Sequence, residues 1–119
     1  MFRISKEFHF CASHILEGLP EGHPCSRLHG HNYLVEIELE REELDPTGFL
    51  VDYRDLDAFK RILDEELDHR HLNDVLDVQP SAENIARWLF DRAAAIWPFV
   101  RSVRVHETPK TWAEYRPSS

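Results

Sequence analysis

Several large protein classes are closed to this chain by what it lacks. It has two cysteines, Cys11 and Cys25, which do not make a disulfide framework, and a reducing compartment would keep both as thiols. No apolar run approaches the ~20 residues that a membrane span needs. The N-terminus lacks the basic, apolar and small-residue succession of a signal peptide, so the expectation is a cytoplasmic protein with no membrane partner. Basic residues are scarce as well: Lys plus Arg is 14 against 22 for Asp plus Glu, a formal charge of −8. A nucleic-acid partner would demand a basic stripe and is therefore not expected. A small phosphorylated substrate needs only a few local cations and stays open. Internal repeats, low-complexity tracts and linkers are also missing, so residues 1–119 read as one domain.

What the chain does have is histidine at strand spacing. In Cys25-Ser-Arg-Leu-His29-Gly-His31, the two imidazoles are two residues apart and share one face of an extended strand. The alternation continues through Tyr33, Val35, Ile37 and Leu39 on that side and Glu36, Glu38 and Glu40 on the other, interrupted only by Leu34. The histidines therefore lie on the sheltered side, and the glutamates read as a solvated face. A second strand over residues 8–14 aligns Phe8, Phe10, Ala12 and His14. The two segments would pair as an antiparallel hairpin joined by residues 15–28.

Three neutral imidazoles, His14, His29 and His31, suit Zn2+, and three protein ligands leave a fourth position open, as in catalytic rather than structural zinc sites. Cys11 points away from His14 by parity and reads as a small buried hydrophobe.

Further along, Asp45-Pro46-Thr47-Gly48 marks a turn. A helix starting near Asp52 or Asp55 carries Leu56, Phe59, Ile62, Leu63 and Leu67 at helical spacing, with 68–74 as a loop beyond it. Ser81 caps a second helix whose apolar stripe is Ile85, Leu89, Ala93 and Ile96, with Pro98 at its exit. Strands follow near 101–108 and 111–115. The order is β-β-α-α-β-β, an α+β class in which an antiparallel sheet carries two helices on one face. Four strands leave two unpaired edges, which invite a homo-oligomer.

Three further groups carry chemistry. Asp68 beside His69 reads equally as a proton-transfer pair or as a backbone cap next to a surface histidine. Glu107 shares a face with Val103 and Val105. There it would accept two parallel N–H bonds from a planar amidine edge, as in guanine or pterin rings, or pair with Arg104 or Arg27. Cys25 is a fourth metal ligand, or a base or nucleophile beside an open metal position, since a thiol near a cation deprotonates more readily. Spacing does not separate the two.

The series Phe-x-Phe-x-Ala-Ser-His14, Cys25-x-x-x-His29-Gly-His31-Asn-Tyr, Leu67-Asp68-His69-x-x-Leu72-Asn73, Pro80-Ser-x-Glu-Asn84 and Glu107-Thr108 resembles the 6-pyruvoyl-tetrahydropterin synthase family. The short interval from Cys25 to His29 is similar to that of its bacterial 6-carboxy-tetrahydropterin synthases of the queuosine pathway. The resemblance implies the tunnelling fold, assembled through sheet edges into a hexamer or tetramer. It implies His14, His29 and His31 as zinc ligands, Cys25 as general base, Asp68 with His69 as proton relay, and Glu107 as pterin anchor. The implied substrate is 7,8-dihydroneopterin triphosphate, converted to 6-carboxy-5,6,7,8-tetrahydropterin, acetaldehyde and triphosphate. The alternatives are 6-pyruvoyl-tetrahydropterin synthase activity and a non-catalytic zinc or pterin-binding module. His9 and Cys11 depart from the Thr, Ser or Glu expected beside the first ligand, and Lys6, Arg27 or a neighbouring subunit would hold the triphosphate.

Overall fold

The alternating pattern of the N-terminal third folds into two long strands, β1 (Phe2–His14) and β2 (His29–Arg41), paired antiparallel from Phe2↔Arg41 to His14↔His29. This is a computed structural model, and it describes residues 1–118. β1 starts six residues before the apolar alternation becomes obvious. Its first half has only Ile4 leaning on the core, and ladder bonds to β2 rather than burial keep it extended.

The first helical region has three pitches. A 3₁₀ turn at Tyr53–Leu56 leads into α1 (Asp57–Ile62), and a π turn at Leu63–Leu67 ends it. The predicted stripe is buried throughout: Leu56, Phe59, Ile62, Leu63 and Leu67 all join the core. Each such side chain contributes about 1.5–3 kcal/mol by leaving water.

The expected loop at 68–74 is a different matter. It contains β3 (Arg70–His71), parallel to β1 through Ala12↔Arg70 and Ser13↔His71, and a 3₁₀ turn at Leu72–Asp74. Two residues are too few to display alternation, so the sequence reading missed the strand. α2 (Ala82–Ala94) follows, capped by Ser81, whose hydroxyl accepts from the Asn84 N–H. β4 (Val100–Thr108) pairs with β2, and β5 (Thr111–Tyr115) pairs with β4, both antiparallel. The sheet order is β3-β1-β2-β4-β5, so the sheet is mixed and five-stranded rather than antiparallel and four-stranded. The α+β class and the packing of both helices against one sheet face stand as expected.

Two burial expectations change. Ile96 lies beyond the end of α2, where helical periodicity no longer applies, and is 45% exposed, while Trp97 turns inward instead. Cys11 is exposed, because the face of β1 opposite the core carries no packed layer; its thiol donates to Asn32 Oδ1 at 2.9 Å. The glutamates of that face are not simply solvated either. Glu36 pairs with Arg104 and His106, Glu38 with Arg3 and Arg116, and Glu40 with Arg3 and Arg101.

Candidate metal centre and surrounding groups

The register of β1 and β2 assembles the histidines. His14 stands directly opposite His29, and Ala12 opposite His31, so a small side chain leaves room between the rings. The coordinating atoms of His14, His29 and His31 lie within 4.8 Å of one another, and Cys25 is not in that group. His14 is fully buried, whereas His29 and His31 are partly exposed. One side of the cluster therefore faces outward.

Tautomers show whether a cation suits this cluster. His14 donates through Nδ1–H to the Pro80 carbonyl at 2.7 Å, and His29 through Nδ1–H to the Arg27 carbonyl at 2.7 Å. Both protons are thereby assigned, so both Nε2 atoms present lone pairs, and these face each other 2.9 Å apart. Glu107 Oε2 lies 3.0 Å from His31 Nε2 and 3.9 Å from His14 Nε2. The first contact lacks hydrogen-bond alignment and leaves His31 Nε2 buried without a hydrogen-bond partner. Lone pairs and a carboxylate converging at such distances are mutually repulsive unless positive charge lies among them. The donor set fits a metal ion. The backbone carbonyls behind His14 and His29 are the outer partners that orient such ligands.

Electrostatics agree. Burial holds His14 below the ordinary imidazole range; the bond to Pro80 offsets part of this, and neighbouring His29 adds to it. A neutral imidazole is the metal-binding form. Tyr33, stacked on Phe10 and with its hydroxyl 3.4 Å from His14 Nδ1, is pushed well above the usual phenol range by burial, then by Glu107.

Glu107 reaches the cluster because of a bulge. His106 pairs with Trp112 and Thr108 with Thr111, so Glu107 is the extra residue on β4. Bulges commonly re-aim side chains beside functional sites. Its carboxylate also borders a hollow of about 210 Å³ with Ala82, Glu83, Thr111, Trp112 and Ala113. Neither Arg104 nor Arg27 pairs with it: Arg104 binds Glu36 and Glu114 instead.

Asp68 and His69 form a separate corner. The π turn closes with Asp68 N–H donating to Leu63 O at 2.8 Å, and the chain then bends sharply. His69 has φ 58°, a left-handed conformation uncommon outside glycine. Its backbone N–H donates to Cys11 O at 2.6 Å, while Asp68 Oδ1 accepts from Cys11 N–H at 2.8 Å. Asp68 Oδ2 holds His69 Nδ1 at 2.9 Å, leaving Nε2 free in a side chain that is 81% exposed. The Cys11 N–H, more than His69, lowers the Asp68 carboxyl below its ordinary range. A cleft of about 480 Å³ runs from His69, Arg70 and His71 across Cys11 and Ser13 to Gly30, His31 and Asn32. Among the described residues, no hydrogen bond links Asp68 or His69 to Cys25 or to the three histidines.

Cys25 lies half-buried in a 3₁₀ turn, Pro24–Ser26, within the segment joining β1 and β2. Asn73 clamps the start of that segment, donating to Ile15 O at 2.8 Å and accepting from Ile15 N–H at 2.9 Å. Gln79 Oε1 accepts from Glu17 N–H at 2.7 Å. These clamps and the Pro80 carbonyl escaped the sequence reading, because they act through backbone contacts more than fifty residues apart in the chain. Lys6 is tied to Tyr53 O and Asp57, eight positions along β1 from His14, and does not reach the cluster.

A mixed sheet with both helices on one face and three converging imidazoles at its end defines a tunnelling-fold protein with a candidate metal centre. The chain belongs to the 6-pyruvoyl tetrahydropterin synthase family, whose pattern matches residues 3–118. It is 34% identical over 129 residues to the 6-carboxy-5,6,7,8-tetrahydropterin synthase of Bacillus subtilis (strain 168), covering 98% of this chain and 86% of that one. It is 36% identical over 96 residues to the 6-pyruvoyl tetrahydrobiopterin synthase of Poecilia reticulata, covering 74% and 65% of the two chains. Among solved structures it is similar to Caenorhabditis elegans 6-pyruvoyl tetrahydropterin synthase, with a TM-score of 0.85, 27% identity, and coverage of 98% and 96%. No helix among the described residues is long and apolar enough to cross a membrane.

Proposed function

We propose that residues 1–119 form one 6-carboxy-tetrahydropterin synthase-like domain: a cytoplasmic, zinc-dependent lyase converting 7,8-dihydroneopterin triphosphate to 6-carboxy-5,6,7,8-tetrahydropterin, acetaldehyde and triphosphate. The observation carrying this reading is the convergence of three imidazoles, their coordinating atoms within 4.8 Å of one another and the Nε2 atoms of His14 and His29 facing each other, at a cluster open on one side. The similarity to the Bacillus subtilis enzyme along nearly the whole chain supports the choice of product.

His14, His29 and His31 would hold Zn2+. When bound, it would polarise the hydroxyls of the substrate side chain and favour loss of the adjacent carbon-bound proton. Glu107 accepts N–H bonds from the amidine edge of the pterin, which fits a carboxylate set between the imidazoles and the hollow beside Thr111. Cys25, as thiolate, takes a proton from a side-chain carbon. Asp68 fixes the tautomer of His69, so that Nε2 delivers or removes the second proton. A relay so exposed serves best across a subunit boundary, and a homo-oligomer, hexamer or tetramer, built from sheet edges would supply that boundary. Arg27 and the exposed Arg70 are candidate triphosphate contacts, together with cations of a neighbouring copy.

The test is metal content together with product identity after incubation with 7,8-dihydroneopterin triphosphate, with a chelator-treated control. Acetaldehyde and the carboxy product are expected, and both should vanish with the metal. A pyruvoyl product without acetaldehyde would move the chain to 6-pyruvoyl-tetrahydropterin synthase activity, the reading favoured by the Poecilia and Caenorhabditis similarities. Metal and pterin binding with no turnover would leave a binding module.

A further inference from the structure

His23 has no part in the metal cluster, the relay or the pterin contact, yet its side chain is bonded to the backbone of Cys25. The Cys25 N–H donates to His23 Nδ1 at 3.0 Å, and His23 sits as the N-cap of the Pro24–Ser26 turn in extended geometry (φ −66°, ψ 129°). The His23 carbonyl accepts from the Ser26 N–H at 3.1 Å and from the Ser26 hydroxyl at 2.6 Å. The Cys25 carbonyl accepts from the Leu16 N–H at 2.9 Å. Both backbone polar groups of Cys25 are thus tied, one of them to a side chain. Arg27 closes the turn through its N–H on Pro24 O at 3.2 Å, and its carbonyl receives the Nδ1–H of His29. The bonds that fix the thiol therefore run on to a candidate metal ligand.

The choice of residue type carries the argument. Serine, threonine, aspartate and asparagine are the usual side chains for capping a turn from this position. An aspartate would do so with a full negative charge beside the thiol, which opposes formation of thiolate. Here Nδ1 must present a lone pair to the Cys25 N–H, so the imidazole is neutral at that nitrogen and carries its proton on Nε2. The cap is provided without an anion.

We propose that His23 is the positioning residue for Cys25: a neutral imidazole cap that fixes the thiol's turn without adding negative charge next to the base. The role rests on the assignment of Cys25 as general base. Three variants separate geometry from charge. His23→Ala removes the cap. His23→Asn restores an uncharged acceptor. His23→Asp restores the acceptor with a charge. With substrate, His23→Ala should lower kcat about tenfold to a hundredfold with KM little changed, as for a displaced reacting group. His23→Asn should recover most of that loss, and His23→Asp should recover less.

The same series is read without turnover by the rate at which iodoacetamide alkylates Cys25 at neutral pH. The Cys25 peptide is followed by mass spectrometry, with exposed Cys11 as internal reference. His23→Asp should slow Cys25 relative to Cys11, and His23→Asn should leave the ratio near that of the unaltered protein. Equal kcat in all three variants, or an Asn variant as impaired as the Ala variant with zinc content intact, overturns the proposal. A parent protein that makes no product overturns the lyase reading instead, and the alkylation ratios still decide whether His23 sets the Cys25 environment.

Discussion

The three-histidine cluster and the Asp68–His69 corner lie at the same end of the sheet but are built in opposite ways. The cluster sits on paired strands, its register fixed by thirteen residue pairs, with two imidazoles locked by backbone carbonyls and one ring fully buried. The corner hangs from a π turn, holds its histidine in a left-handed conformation, and leaves that ring largely in water. One region is finished within a single chain. The other is an exposed, strained group whose Nε2 has no hydrogen-bond partner among the described residues. Strain persists where surrounding bonds over-determine it, and here Cys11 clamps both Asp68 and His69.

If the contrast is correct, removing a finished part should hurt most. His14→Ala deletes the buried member of the cluster; on the proposed function it should abolish stoichiometric zinc, weakening affinity by more than the ~10–100-fold typical of losing an outer partner. Metal analysis after dialysis checks this. Cys25→Ala should keep its zinc yet lose ~10²–10⁴-fold in kcat, the usual share of general acid–base catalysis. A Cys25→Ala protein that turned over normally would remove the thiol from the chemistry.

His69 tests the strained corner directly. His69→Ala and His69→Gly should both cost activity, but glycine adopts the left-handed conformation freely whereas alanine retains the strain. The glycine variant should therefore be the more stable of the two by about 1 kcal/mol in urea denaturation. Equal stability would mean that the corner stores no strain, and the comparison with the histidine cluster would lose its footing.

The same contrast decides what could be read from the residues alone. The cluster was legible because period-2 alternation is a local signal, and His29, His31 and His14 fall on apolar faces that only one pairing brings together. β5 and the Ser81 cap were legible for similar reasons. The corner was not. A two-residue strand has no periodicity, a π turn has no residue signature, and the positive φ of His69 goes with a bond from its N–H to Cys11 O, fifty-eight positions earlier in sequence. The bulge that aims Glu107 was likewise invisible, since an extra residue in a strand looks like one more step of the alternation. The glutamate face misled because its countercharges, Arg3, Arg101, Arg104 and Arg116, arrive from three other segments.

The smallest expected effect concerns pH, and its sign follows from which carboxyl is held low. Asp68 has its carboxyl lowered from an ordinary 3.8, first by the Cys11 N–H and, against an opposing desolvation effect, by His69. A carboxyl lower in the folded than in the unfolded chain contributes stability above its unfolded value and loses it as pH falls through its folded value. Asp68→Asn should therefore narrow the gap in stability between neutral and strongly acidic solution. The two proteins should differ most near neutrality and converge below the folded value of the Asp68 carboxyl. Because the group is partly exposed, the difference is small and will shrink with added salt. Urea midpoints taken from pH 7 down to the acid limit, at low and high ionic strength, would trace it. A gap that stayed constant with pH would mean that the bond to the Cys11 backbone, rather than the charge it stabilises, is what Asp68 gives this corner.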